Sequence, residues 1–433
     1  MLSSLVVQTS VIYEPLHFRN FMSKTHTSSS FRRIYRVVFI ATLLVVISAV
    51  VIFALRPQPD PFAGDAITDP PFETISYSVQ TFLWWDEGDA GLQASMVNRV
   101  LNFGYIKQNF PWRELEPRQD EWDFTQADRI VALAEEWDLG LIVRLGQVPQ
   151  WASDSEIKSD ESHDAPPTDL ADMGEYCGMV AERYAGRVVA YQIWNEPNLA
   201  REWGTNTPSA EDYVALLAVC SEAIRAVDSE TILISAGLSP TGGPMPYAMP
   251  DDQYLDAMYR ANFQQYIDLV GVHAPGFSEP HYGPDDAVAD GMGRWASFRR
   301  VEDLRKIMLM HDDAARQMAI LEFGFTMDTE NSDYAWFSVT EEEQAQLTVE
   351  AYAYVAENWR PWVGLMSLIY MPNPRWTSAN EEWWWAVGES NGEMRDVFFS
   401  LARMDRYCGD EIHSGWQDGW GEEEWLERRD TCR

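Results

Sequence analysis

The sequence predicts a (β/α)8 barrel of the α/β class, preceded by one N-terminal transmembrane helix. Three observations predict it. Eight short apolar segments alternate with amphipathic helical stretches between Ile75 and Tyr407, the long connections follow the apolar segments, and an uncharged run of 19 residues, Val37–Leu55, stands ahead of the array. Strands alternating with helices imply parallel pairing through right-handed crossovers. Eight such units fit a closed barrel better than an open doubly wound sheet.

Taken in order, the first element is the anchor. At ~1.5 Å of rise per residue, the run Val37–Leu55 spans ~28 Å, enough for a hydrocarbon core. Arg19, Lys24, Arg32, Arg33 and Arg36 precede it against the single acid Glu14; beyond Arg56 no base occurs before Arg99. Basic residues stay on the cytoplasmic side, so residues 1–36 are expected inside and the rest of the chain beyond the membrane. A cleaved signal peptide is the rival reading, but its apolar region is shorter and its leader is not 36 residues long. Residues 56–74, rich in Pro, Asp and Gly, are expected to be a linker.

The barrel is expected over 75–407. Its strand candidates are Ile75–Phe82, Gly104–Gln108, Leu141–Leu145, Val188–Trp194, Thr231–Ala236, Ile267–His273, Met318–Glu322 and Val363–Tyr370. Thr125 with Asp128, Ser209 with Asp212, and Thr340 with Glu343 suit capped helix starts. A last helix is expected over Gly392–Tyr407, followed by an irregular tail, 408–433. The connections Gly146–Leu170, Leu238–Asp252, Ala274–Ser297 and Met371–Gly392 would all rise on the C-terminal face, where barrels build their sites. No GxGxxG or GxxxxGK[ST] turn suggests a nucleotide.

Composition narrows the partners. The 433 residues carry a formal charge of −36; residues 1–56 hold six bases and one acid, which leaves −41 on the remainder. A nucleic acid or other polyanion would be repelled, so the substrate expected is a neutral one. The 19 Trp, 18 Tyr and 19 Phe pack cores, and they also stack on sugar rings. Four Cys lack the paired spacing of a zinc site, and neither metal nor cofactor is expected. Cys177 and Cys220 fall in helical patterns and read as small buried apolar side chains. Cys408 and Cys432 bracket the tail, which a disulfide would close outside the cytosol.

The chemistry is expected at two strand ends. In Tyr191-Gln192-Ile193-Trp194-Asn195-Glu196-Pro197-Asn198 an apolar strand ends in Asn-Glu and is stopped by Pro. In Ala319-Ile320-Leu321-Glu322-Phe323-Gly324 another ends in a lone Glu. A carboxylate at the mouth of an apolar barrel is costly unless something uses it. Glu196 and Glu322 close strands four and seven, which face one another across a rim. Two carboxylates ~5–5.5 Å apart are what double displacement at a glycosidic carbon needs. Glu322 would be the nucleophile and Glu196 the acid/base, its pKa raised by burial and by its neighbour. Asn195 would bond the sugar 2-hydroxyl. Lys107 and Arg144, near strand ends, would orient a glutamate or a sugar hydroxyl.

These segments resemble the clan A retaining glycoside hydrolases, a TIM-barrel group, and among them families 39 and 5, over roughly Ser76–Arg406. Pro111-Trp112-Arg113-Glu114-Leu115-Glu116-Pro117 resembles the clan's "PW-x-x-IEP" stretch, and Pro149-Gln150-Trp151-Ala152 its "P-x-W". Val272-His273-Ala274-Pro275 is similar to its "H-P-Y" except that the Tyr is absent, and Tyr282 is the expected substitute. The resemblance implies substrate contacts from His273, Tyr282, Trp112 and Trp151, and from Trp384 in the run Trp383–Trp385. It implies hydrolysis of β-linked poly- or oligosaccharides. The alternatives are a catalytically inactive surface barrel that binds glycans, and an envelope transglycosylase using the same intermediate.

Overall fold

A computed structural model describes residues 29–54, 67–73, 75–86, 88, 90–156, 164–409 and 411–428. The chain divides into two compact units, Met1–Asp60 and Pro61–Arg433. In the first, Ser29–Ala54 forms one helix that includes all of the expected apolar run except Leu55. Among the described residues no helix is long and apolar enough to cross a membrane. From Ser48 onward the side chains of that helix lie outside the described residues, as do most of the expected cytoplasmic segment and linker.

In the second unit all eight expected strands form and close a barrel in sequence order: β1 (Ser76–Thr81), β2 (Tyr105–Pro111), β3 (Gly140–Gly146), β4 (Ala190–Ile193), β5 (Ile232–Ile234), β6 (Leu269–Pro275), β7 (Gln317–Gly324) and β8 (Val363–Leu368). Every neighbouring pair is parallel, and β1 pairs with β8 to complete the ring. Alternate residues point inward. Ile142, Ala190, Ile234, Leu269, Leu321 and Leu365 form one buried cluster with Phe72 from the segment before β1. The backbone N–H and C=O of Phe72 are both held by the Gln317 side chain. The interior is therefore a packed core rather than a pore. A second, larger core lies between the strands and the surrounding helices.

The helix starts differ in detail. Ser209 caps Ala210–Val227, and Thr340 with Glu343 makes a capping box on Glu341–Asn358, as expected. Thr125 caps nothing. It is the first residue of Thr125–Glu136, its own N–H is taken by Asp123, and Asp128 turns outward to Arg183 and Tyr184. The last barrel helix is only Asp396–Arg403. Arg406–Cys408 then pairs with Glu411–His413 as an antiparallel hairpin. The tail is not irregular: Glu422–Arg428 is a helix, and the buried Trp425 donates to Arg99 O.

Cys177 and Cys220 are not free thiols. They form a disulfide between the helices Leu170–Arg183 and Ala210–Val227, with Cα atoms 5.3 Å apart. Helical periodicity puts both on buried faces, and that pattern suits a thiol or a disulfide equally well. A bridge across 43 residues is worth about 4 kcal/mol in the chain-entropy view. Cys408 is also disulfide-bonded; its expected partner, Cys432, lies outside the described residues.

Candidate active site

Strand geometry delivers the two glutamates to one place. At the top of β7 the register with β6 shifts, so that Val272 pairs with Ile320 but His273 pairs directly with Glu322. Such bulges re-aim a side chain at a barrel rim. At the end of β4 the chain turns sharply: Trp194 and Glu196 have φ of 73° and 39°. Left-handed backbone at non-glycine residues costs ~1–3 kcal/mol each and persists where surroundings enforce it. Here Gln192 Nε2 holds Trp194 O at 2.8 Å, and Glu196 N donates to Gly237 O at 3.0 Å.

His273 stands between the carboxylates. Its Nδ1 lies 2.9 Å from Glu196 Oε1 and 3.7 Å from Glu322 Oε2. The ring is wedged against Gly237, where an added Cβ would sit 2.2 Å from Nε2. Only glycine at 237 lets the imidazole occupy this position. Glu322 Oε1 faces Lys107 Nζ at 3.2 Å and Arg144 Nη1 at 3.7 Å, from β2 and β3. Lys107 is fully buried and also donates to Leu321 O; burial pushes its ammonium down to about 8, and the Glu322 charge works against that shift. Arg201 Nη2 reaches Glu196 Oε2 at 3.2 Å.

These neighbours set the protonation of the resting site. Burial alone would push Glu322 up, but the charges of His273, Lys107 and Arg144 outweigh it and hold the carboxyl below its ordinary range. That keeps it ionised, as a nucleophile requires. The expected rise for Glu196 is not found. Burial pushes it up, but the hydrogen bond and charge of His273, followed by Arg201, hold it at about 2. Burial and the partner carboxylate are legible in the sequence, whereas the convergence of an imidazole and a guanidinium on the same group arises only in the fold.

The glutamates open onto a cleft of ≈ 280 Å³, near the lower end of the ~300–1,000 Å³ usual for small-molecule sites. Asn195 and His273 line it together with Glu196 and Glu322. Four expected contacts do not reach it. Trp112 is fully buried, stacked on Tyr176 at 5.1 Å and bonded through Nε1 to Glu116. Trp151 packs edge-on against Trp112 and donates to Glu116 O, so the pair fastens loops to the barrel wall. Tyr282 bonds Asp290 on an outer surface. Trp384 turns away to Ser378 O, and its neighbour Trp385 is the member of the run that faces the cleft.

Sequence reasoning missed the loop after β7, which gives Tyr334, Trp336 and Phe337 to the cleft. Phe277 from the loop after β6 stacks on Trp336 at 5.6 Å, and Trp295 meets the same ring edge-on. The signal was present as Asp333-Tyr334-Ala335-Trp336-Phe337 directly after a Glu-ending strand. The arrangement is thus two carboxylates bridged by His273 in a cleft lined by the aromatic rings of Phe277, Trp295, Tyr334, Trp336, Phe337 and Trp385 and by Gln80, Asn109 and Arg144 of β1, β2 and β3.

Residues 89–212, which include Asn195 and Glu196, match the family model Glycosyl hydrolase family 10. No curated protein sequence matches the chain. Among solved structures, a family 39 glycoside hydrolase from the gut symbiont Bacteroides cellulosilyticus WH2 is 15% identical with a TM-score of 0.56, over 82% of this chain and 71% of that one. A glucosidase from Croceicoccus marinus is 12% identical with a TM-score of 0.56, over 78% and 68%. Xylanase 10B from Thermotoga maritima is 15% identical with a TM-score of 0.51, over 76% and 94%. At such identities the structural likeness is one of fold, and the family match covers the segment that carries one of the two facing glutamates. The chain thus carries a family 10 glycoside hydrolase match over residues 89–212 on a barrel whose fold it shares with glycoside hydrolases.

Proposed function

We propose that the chain is a retaining glycosidase acting on β-linked poly- or oligosaccharides, with Glu322 as nucleophile and Glu196 as acid/base. The observation that carries this is the reach of His273 Nδ1 to both carboxylates. Their two nearest oxygens can be no further apart than the sum of those contacts, 2.9 and 3.7 Å. That sum barely reaches the bottom of the ~6.5–9.5 Å needed to seat a water between the carboxylates of an inverting enzyme. In the first step a Glu322 oxygen bonds the anomeric carbon, the glycosidic C–O bond breaks, and Glu196 delivers a proton to the departing oxygen. In the second, Glu196 takes a proton from water, whose oxygen displaces Glu322. Glu196 rests ionised, so it takes up a proton as the substrate complex forms, with its Oε1 positioned by the 2.9 Å contact to His273 Nδ1. Proton NMR during turnover is expected to show the product first as the anomer of the substrate. First appearance of the opposite anomer would sink the mechanism.

A glycan-binding barrel without chemistry would have no use for both carboxylates, and both are present and charged. Transglycosylation shares the intermediate, so products formed with an added acceptor sugar decide that question. The orientation of Trp385 supports it as the platform for the reacting ring. Trp385→Ala is expected to lower kcat/KM by about 10²-fold, the order of loss that follows misplacement of a substrate. Trp384→Ala should alter it by no more than about threefold, and the reverse ranking would restore Trp384 to the site.

We also propose that the first unit anchors the protein in a membrane with the catalytic unit outside the cytoplasm. Support comes from the exposed apolar side chains between Val37 and Ile47 and from Thr42, whose hydroxyl is satisfied within the helix by Val38 O. The Cys177–Cys220 disulfide supports an oxidising compartment. Full-length protein is expected to sediment with membranes and to require detergent for release, while a chain beginning at Pro61 remains in solution. A mature N-terminus just after Leu55 would replace the anchor with a cleaved signal.

A further inference from the structure

Glu202 has no part in the two-glutamate mechanism, yet it lines the same cleft. It follows Glu196 in the loop after β4 and is 7% exposed. Among the described residues no hydrogen-bond donor or cation within ion-pair distance holds its carboxyl, which meets its surroundings only through burial and longer-range charge. Those surroundings are Glu196, Arg201, Arg144 and Asp164. Both arginines are engaged elsewhere, Arg201 with Glu196 and Arg144 with Glu322. The Asp164 oxygens are taken by the backbone N–H groups of Gln147, Val148 and Ala165. Burial, and then the charge of Glu196, push the Glu202 carboxyl well above its ordinary range.

Three more acids face the cleft, Asp333, Glu381 and Glu382. Glu381 accepts from the neutral Tyr334 hydroxyl and not from a base. Glu196 and Glu322 are matched by their own cations, and Asp333 and Glu381 add negative charge to the cleft. A buried carboxyl without a partner is costly, and a cation brought by a ligand removes that cost. The position of Glu202 narrows the ligand further. Glu202 and Asn195 line a common void behind the cleft, of about one water's size, and Asn195 is the residue expected to meet the substituent on C2 of the reacting sugar.

We propose that the cleft accepts a 2-amino-2-deoxy sugar with a free ammonium group, and that Glu202 is its counter-ion. This rests on the glycosidase reading and replaces the neutral substrate expected from overall charge. That charge excludes polyanions without distinguishing neutral from cationic sugars. In the complex the ammonium stays protonated and Glu202 gives up its proton to solvent, so the pair is a salt bridge in the cleft that Asn195 also lines.

The test uses three sets of 4-nitrophenyl β-glycosides, in gluco and galacto configuration, identical except for amino, acetamido or hydroxyl at C2. The amino compounds are expected to exceed their hydroxyl counterparts at least tenfold in kcat/KM below the pKa of the amine, and the acetamido compounds to be poorer than either. Glu202→Gln keeps the shape and removes the charge; the amino-to-hydroxyl ratio should fall at least tenfold. A hydroxyl preference in the wild type, or a ratio unmoved by Glu202→Gln in a folded variant, overturns the proposal. Calorimetric binding of β-linked glucosamine disaccharide and of its cellobiose counterpart to the folded Glu322→Ala protein separates the two readings. Tighter binding of the amino sugar without turnover by the wild type sustains Glu202 and rejects the glycosidase. Turnover of hydroxyl sugars with equal binding of both disaccharides sustains the glycosidase and rejects Glu202.

Discussion

Glu322→Ala is expected to lower kcat by at least about 10⁴-fold, because without that carboxylate no covalent glycosyl-enzyme can form. The substitution also removes the counter-ion of a buried cation. Lys107 Nζ loses its 3.2 Å contact and keeps only Leu321 O, and stranding one member of a buried pair costs about 3–5 kcal/mol. Lost activity and lost fold therefore have to be told apart. Glu322→Gln supplies the means, since it fills the same volume and still accepts from Lys107. It should be as inactive as the alanine variant and melt closer to wild type. Azide distinguishes the two further. In Glu322→Ala it can enter the vacated space and attack from the nucleophile's face, giving a glycosyl azide of inverted configuration. In Glu322→Gln the space is occupied and no azide product should form. If Glu322→Gln keeps more than about a hundredth of wild-type turnover, the nucleophile lies elsewhere.

The barrel was legible because each strand is a short apolar run between longer helical periodicities, and length together with period separates the two. Glu196 and Glu322 were legible for a related reason: a charge that ends an apolar strand has few structural uses. Their supports were harder to read. Lys107 and Arg144 stood out as bases near strand ends, but their convergence on Glu322 depends on barrel closure and on the register shift between Val272 and His273. Gly237 carries no side chain to notice, and its role exists only because the His273 ring lies against it. The tryptophans mark the limit most clearly. In Trp383-Trp384-Trp385 each ring has the same composition and neighbourhood. Only the short helix Glu381–Trp385 decides which one faces inward, and a loop helix of one turn carries no periodicity to reveal it. Trp112 and Trp151 resembled site residues because aromatic rings after barrel strands serve sugars and loop packing alike. Burial, which separates those uses, belongs to the fold and not to the local sequence.

Glu196→Ala is expected to act selectively, and the selectivity identifies the role. A sugar or alkyl leaving group needs a proton as it departs, so kcat/KM for such substrates should fall by about 10²–10⁴-fold, the usual contribution of general acid catalysis. A dinitrophenolate leaves without one, and its kcat/KM should stay within about tenfold of wild type. The second step then has no base to activate water, so the intermediate accumulates and KM falls together with kcat. Azide needs no deprotonation. It should intercept that intermediate and yield the retained azide, the opposite anomer to the one from Glu322→Ala. The pH profile gives a further readout. In wild type the alkaline limb of kcat reports loss of the proton that Glu196 carries in the substrate complex. Glu196→Ala removes the site of transfer, so on the dinitrophenyl substrate the alkaline limb should flatten. The acid limb, set by ionisation of Glu322, should remain. The depressed resting pKa of Glu196 makes this comparison decisive. If Glu196 were only a structural partner of His273 and Arg201, its removal would slow every leaving group alike and leave the alkaline limb in place.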